Sequence, residues 1–240
     1  MSKVDNPHIV SILNFVQTIY QPVPKALLFW DTCALLDILR LPYRNGSVES
    51  FRILNKIRVL IQSDELFSVA SSLTIKEFNE HEGTIIAETQ KSLELTDQYH
   101  STCIDIANDV YGATYISEPS RNKGLVNVFE GLADTILSKT YFIDTPEVAN
   151  LALNRIADKL PPASKKNEFK DCVIWETILK LSRDINPIDA QNNQIFFTVN
   201  TADFFDKGRT PMHFYNHLLA EAAMSNLVCC STLSEVDSKL

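Results

Sequence analysis

The chain has 240 residues, of which 45% are apolar, enough material for one large domain or two small ones with a proper core. A formal net charge of -8 excludes an all-over basic coat for nucleic acid, although it leaves room for a local basic groove. Five cysteines without a Cys-x-x-Cys spacing point to a reduced, cytoplasmic setting. The absence of any run of 18 apolar residues predicts a protein that does not enter a membrane, and the N-terminus lacks a secretory hydrophobic segment.

Apolar residues at helical spacing predict a helix over 8–20, stopped by Pro22 and Pro24. The wholly apolar run 26–30 then reads as a central parallel strand buried on both faces. A short helix over 34–41 reaches Pro42 and a turn at Asn45-Gly46, and an amphipathic helix follows over 49–63. The second strand is expected at 66–70, with Ser71, Ser72 and Thr74 placed to cap the helix that carries Glu77. From about 84 to 160 the pattern is helical, broken near 115–124 and at Pro146, with Asn122-Lys-Gly124 as a loop tip. A helix at 168–183, a strand at 195–199, a helix at about 212–226 and the apolar stretch 227–230 complete the chain. The economical reading is one α/β domain over residues 1–240, a central parallel sheet flanked by helices, with a helical insertion at 84–165.

Four carboxylates fall where one expected element passes into the next: Asp31, Glu77, Asp171 and Asp203. Ligands of parallel α/β sheets collect outside the carboxyl ends of the strands. Four acids gathered there would repel one another unless a divalent cation neutralised them, and all-oxygen ligation suits Mg²⁺ or Mn²⁺. Singly, each acid has a cheaper explanation as a helix cap or as first-turn charge. Glu168 and Glu176, neighbours on the third helix, are explained most cheaply as solvated charges. Trp30 and Trp175 fall in apolar patterns and read as core. His213 and His217 stand at helical spacing, but His-Glu-x-x-His is absent, and so is a Gly-x-x-x-x-Gly-Lys-Ser/Thr loop.

In order, Phe29-Trp-Asp31-Thr32, Ser72-Leu-Thr-Ile-Lys-Glu77-Phe78, Lys166-Asn-Glu-Phe-Lys-Asp171 and Thr198-Val-Asn-Thr-Ala-Asp203-Phe204 resemble the four motifs of PIN-domain nucleases. The Pro161-Pro-x-x-Lys165-Lys166 lead-in resembles a branch of larger bacterial PIN-like proteins. The resemblance implies a Mg²⁺- or Mn²⁺-dependent ribonuclease, with Asp31 and Asp171 as central ligands, Asp203 as a direct or water-mediated ligand, and Glu77 orienting or deprotonating water or completing the shell of a second metal. It further implies supporting hydrogen bonds from Thr198, Asn200 and Thr201, a toxin or defence role with a protein inhibitor (antitoxin), and a homodimer. Asn200 is neutral where some members carry another acid. Lys165, Lys166, Lys170, Arg121 and Lys123 are candidates for tracking a phosphate backbone, against the plainer reading of solvent-facing charge. Two other classes stay open: a non-catalytic PIN-like module that binds RNA or protein, and a DNA-directed phosphodiesterase with the same acids. The position of 84–165 between two motifs also suggests a lid over the site.

Overall fold

A computed structural model describes residues 7–44, 47–208 and 210–240; the turn expected at Asn45-Gly46 lies outside them. The chain begins with strand β1 (His8–Ser11), helix α1 (Ile12–Asn14) and a π-helical continuation (Phe15–Tyr20). Strand β2 (Leu27–Trp30) leads into α2 (Thr32–Arg40), α3 (Val48–Gln62) and β3 (Phe67–Ser71). Helix α4 (Ser72–Tyr111) is 40 residues long and ends at Gly112, whose φ of 62° supplies the left-handed stop. After a short 3₁₀ turn (Ser120–Lys123) come α5 (Leu125–Ser138), β4 (Tyr141–Asp144), α6 (Ala149–Ala157) and α7 (Phe169–Ile185). Strand β5 (Gln194–Phe197) precedes a two-strand ribbon of β6 (Phe205–Asp206) and β7 (His213–Phe214), then α8 (Asn216–Met224), β8 (Leu227–Cys230) and α9 (Leu233–Asp237).

Six of these strands form one sheet in the order β1-β4-β3-β2-β5-β8, every pairing parallel. The expected α/β architecture with a central parallel sheet is therefore the observed one. Strands β2, β3 and β5 are buried along their whole length, because helices cover both faces. Alternation divides their side chains between two cores. Leu28, Trp30, Ala70, Ile195 and Phe197 pack with α2, α3 and α5 on one face. Leu27, Phe29, Val69 and Phe196 pack with α7 and α8 on the other. Trp30 and Trp175 are both core residues, each with its indole N–H satisfied: Trp30 donates to Ser68 Oγ at 2.9 Å and Trp175 to Glu221 Oε2 at 2.8 Å.

Two expectations need correction. Residues 8–11 are not the first turn of a helix but an edge strand, paired with β4 from His8↔Tyr141 to Ser11↔Asp144. Ser11 then caps the helix that follows by accepting from Asn14 N–H. The region 84–165 is not a helical insertion throughout, since Tyr141–Asp144 is a sheet strand lying between β1 and β3. A four-residue segment inside a helical stretch has no period of its own, and only pairing on both edges decides it.

Beside the sheet, the buried Arg155 guanidinium gathers four segments. It donates through Nε (2.9 Å) and Nη2 (2.6 Å) to Glu176 Oε1 on α7, through Nη2 to Glu221 Oε1 on α8 (2.8 Å), and through Nη1 to the Pro161 carbonyl (2.6 Å). Burial opposes this charge, but Glu221 and Glu176 hold the guanidinium above its ordinary pKa. Glu176 therefore belongs to a structural ion pair rather than to a solvated face. His217 pairs with Glu221 at 3.2 Å, so the His213/His217 spacing carries no metal-site geometry.

Candidate metal centre

All four acids follow strand ends or open helices at the carboxyl edge of the sheet. Asp31 directly follows β2, and its extended backbone makes it the N-cap of α2. Its side chain is 1% exposed. One carboxylate oxygen accepts from Thr32 N–H at 2.8 Å and the other from Thr198 Oγ1 at 2.6 Å. Thr198, just past β5, is itself held, because its hydroxyl accepts from the Asn200 N–H at 3.0 Å. Glu77 sits in the second turn of α4, where one oxygen accepts from Thr32 Oγ1 at 2.8 Å and the other meets Lys170 Nζ at 2.8 Å. Asp171, in the first turn of α7, accepts a long 3.4 Å contact from Asn200 Nδ2. Asp203 lies in the turn after β5, and its charge reaches Asp171.

The electrostatics report how closely these groups act on one another. Burial, followed by the charges of Asp31, Asp203, Glu168 and Glu77, pushes Asp171 up to about 8. Burial pushes Asp31 up to about 6, with Glu77 adding to the rise and the Thr198 and Thr32 hydrogen bonds opposing it. The Cys33 thiol is raised first by burial and then by Asp31, Asp171 and Glu77, so the same negative field reaches one turn into α2.

The donor set fits a hard divalent cation, since it is all oxygen and its central member is strained toward protonation by its neighbours. Among the described residues, no three His, Cys, Asp or Glu side chains form a ready-made cage. Mg²⁺ needs only one or two carboxylates and keeps several waters, a demand that the Asp31 and Asp171 pair matches.

The remaining expected residues divide. Asn200 touches Asp171 and supports Thr198, whereas the Thr201 N–H bonds the Val199 carbonyl and, among the described residues, Thr201 makes no hydrogen bond to the four acids. Lys165 lies 5.8 Å over the Tyr215 ring and Lys166 meets Glu168 at 3.6 Å, both just ahead of α7. Arg121 and Lys123 lie on the 3₁₀ turn, where Asp97 accepts from the Ser120 and Arg121 N–H groups and Lys123 pairs with Glu118 at 2.6 Å. Among the described residues no hydrogen bond or ion pair joins residues 84–140 to the four acids, so the lid expected there has no contact to support it.

Reading the sequence missed two participants. The Thr32 hydroxyl links the first two motifs, and Lys170, read only as a backbone-tracking charge, neutralises Glu77. The residue types beside Asp31 and Asp171 were the only available signal. It also missed Asp144, which ends the unforeseen β4 at the same sheet edge and accepts from Ser72 Oγ at 2.9 Å.

Thr198→Val is expected to weaken divalent-metal binding by roughly 10–100-fold, because it removes the bond that keeps Asp31 ionised and aimed. Calorimetric Mn²⁺ titration checks this, and an unchanged affinity would show that Thr198 has no part in the centre.

The PIN domain family model matches residues 28–204, which include all four acids. The chain belongs to the PIN domain family, a nuclease-type family. Comparison with curated proteins and with solved structures gives no match. Among the described residues, no helix is long and apolar enough to cross a membrane.

Proposed function

We propose that this protein is a Mg²⁺- or Mn²⁺-dependent nuclease that hydrolyses phosphodiester bonds of RNA. The observation that carries this reading is the gathering of four carboxylates at the carboxyl edge of the sheet, where half-buried Asp171 is pushed up to about 8 by desolvation and then by its acidic neighbours. Structural acids are placed to be satisfied, whereas Asp171 meets other acids and only a 3.4 Å contact from Asn200, an arrangement suited to a cation.

In this reading Asp31 and Asp171 would hold the ion, with Asp203 a direct or water-mediated ligand, and the ion would supply a more acidic water and stabilisation of charge developing on the phosphate. Thr198 and the Thr32 N–H keep Asp31 in a single orientation. Glu77 takes the proton of the attacking water, with its position set by Thr32. Lys170 holds Glu77 until a phosphate competes for the ammonium. Attack by water at phosphorus expels the alcohol oxygen of the broken ester, and no covalent enzyme intermediate is needed.

The test is cleavage of labelled single-stranded RNA and DNA by the purified protein with Mn²⁺ or Mg²⁺, beside EDTA and Asp171→Asn. Metal-dependent cleavage of RNA that the variant lacks supports the proposal. Cleavage confined to DNA reassigns the substrate. Absence of both cleavage and metal binding would overturn the proposal in favour of a non-catalytic binding module, a reading consistent with Glu77 having both oxygens engaged.

A further inference from the structure

Helix α4 is about 60 Å long at 1.5 Å per residue, far more than the sheet needs to be covered. Its buried positions end at Leu93. Beyond that point, Leu95, Tyr99, Ile106 and Val110 are 43 to 72% exposed. Their spacings of four, seven and four residues place them within a sector of roughly 60°, as a row about 22 Å long.

The returning segment does not cover this row, because it is pinned to the opposite side of the helix. Asp97 accepts from the Ser120 and Arg121 N–H groups, His100 Nδ1 meets Ser117 Oγ at 3.1 Å, and Asn108 clasps both the N–H and the carbonyl of Tyr115. Positions 97, 100 and 108 lie about 110–170° around the helix from the middle of the row. An aligned row of large apolar side chains left in water is the mark of a surface that meets a partner.

Charge decides the kind of partner. No Lys or Arg occurs from Ser92 to Ser120, and Glu94, Asp105 and Asp109 fall together along one flank of the apolar row. Antiparallel packing of two copies of this helix would set that acidic flank against itself. We propose that the outer part of α4 is the docking surface for an amphipathic helix of another protein, one with an apolar stripe of three to four turns flanked by Lys and Arg. Burial of the stripe supplies affinity, and pairing of the flanks supplies register and discrimination.

The test uses the full-length protein and three fluorescein-labelled designed peptides of equal length, followed by anisotropy. One carries a Leu/Ile stripe with a Lys/Arg flank, one has the same stripe with a Glu flank, and one is a scramble of the first. Only the first is expected to bind. Tyr99→Ser/Ile106→Ser should weaken it at least tenfold with no change in melting temperature, since both residues are exposed. Asp105→Asn/Asp109→Asn should weaken it severalfold and reduce its salt dependence. Equal binding of the scramble, or binding unchanged by the Tyr99/Ile106 variant, overturns the proposal. So does light scattering that shows a dimer of the protein alone that Tyr99→Ser/Ile106→Ser converts to monomer, because a second copy would then be the occupant.

Discussion

Asp171→Asn is expected to stabilise the metal-free protein at pH 8 by about 1–2 kcal/mol while abolishing metal-dependent cleavage. The sign follows from the raised pKa. In the unfolded chain an aspartate ionises near 3.9, as in a free peptide, whereas in the fold burial and the surrounding acids hold Asp171 to about 8. Between those values the folded state carries a proton that the unfolded state has lost. Stability therefore declines as pH rises from about 4 to about 8 and levels off above. Asparagine carries no charge at any pH, so its advantage should be near zero at pH 4 and greatest at pH 8. Thermal melts in EDTA across that range check the slope, with a gain of roughly 2–8 °C at the alkaline end. Added Mn²⁺ should stabilise the parent protein, by about 2.7 kcal/mol at a hundredfold excess over Kd, and leave the variant unmoved. Cleavage should fall by roughly 10²–10³ or more. A variant less stable by the same amount at every pH would mean that Asp171 is not strained.

The second large effect concerns Arg155, which lies in none of the four motifs. Arg155→Met should cost about 3–5 kcal/mol, because Glu176 is left buried without its counter-charge and the Pro161 carbonyl without its donor. The double variant Arg155→Met/Glu176→Gln should recover much of that loss, since the penalty belongs to the uncompensated charge and not to the missing pair. Urea denaturation of the two variants beside the parent distinguishes the cases, and equal stability of single and double variants would contradict the account. Because the same guanidinium braces the approach to α7, the single variant should also lose cleavage at temperatures where it remains folded.

How far the sequence could be read depended on where each element's signal lay. Strands at 26–30 and 66–70 were legible because central parallel strands are nearly continuous apolar runs, here broken only by Ser68 in the second. Helices over 49–63 and 168–183 were legible from their period, within a residue or two of α3 and α7. The four acids were legible as an ordered set at element junctions, since a strand that ends in a capping aspartate or leads to a helix start is a local event. Strands β1 and β4 were not. Ile9 and Val10 fit a helix and an edge strand equally well, and Tyr141–Asp144 is too short to show a period. Each became a strand because it could complete the other's ladder.

The sequence by itself determined the fold class, the order of the motifs and the identity of the acids, because periodicity, breakers and residue chemistry act over a few neighbours. Tertiary structure alone decided that Thr198 reaches back to Asp31, that Lys170 answers Glu77, and that Arg155 binds two helices and a carbonyl. It alone decided that Asp171, an ordinary first-turn aspartate by its neighbours in the chain, is held near 8 by burial and acidic neighbours, while Asp97 is lowered by its Ser120 hydrogen bonds. Charge and desolvation act through space, and the groups that set them come from positions up to 167 residues apart, as in the bond between Asp31 and Thr198.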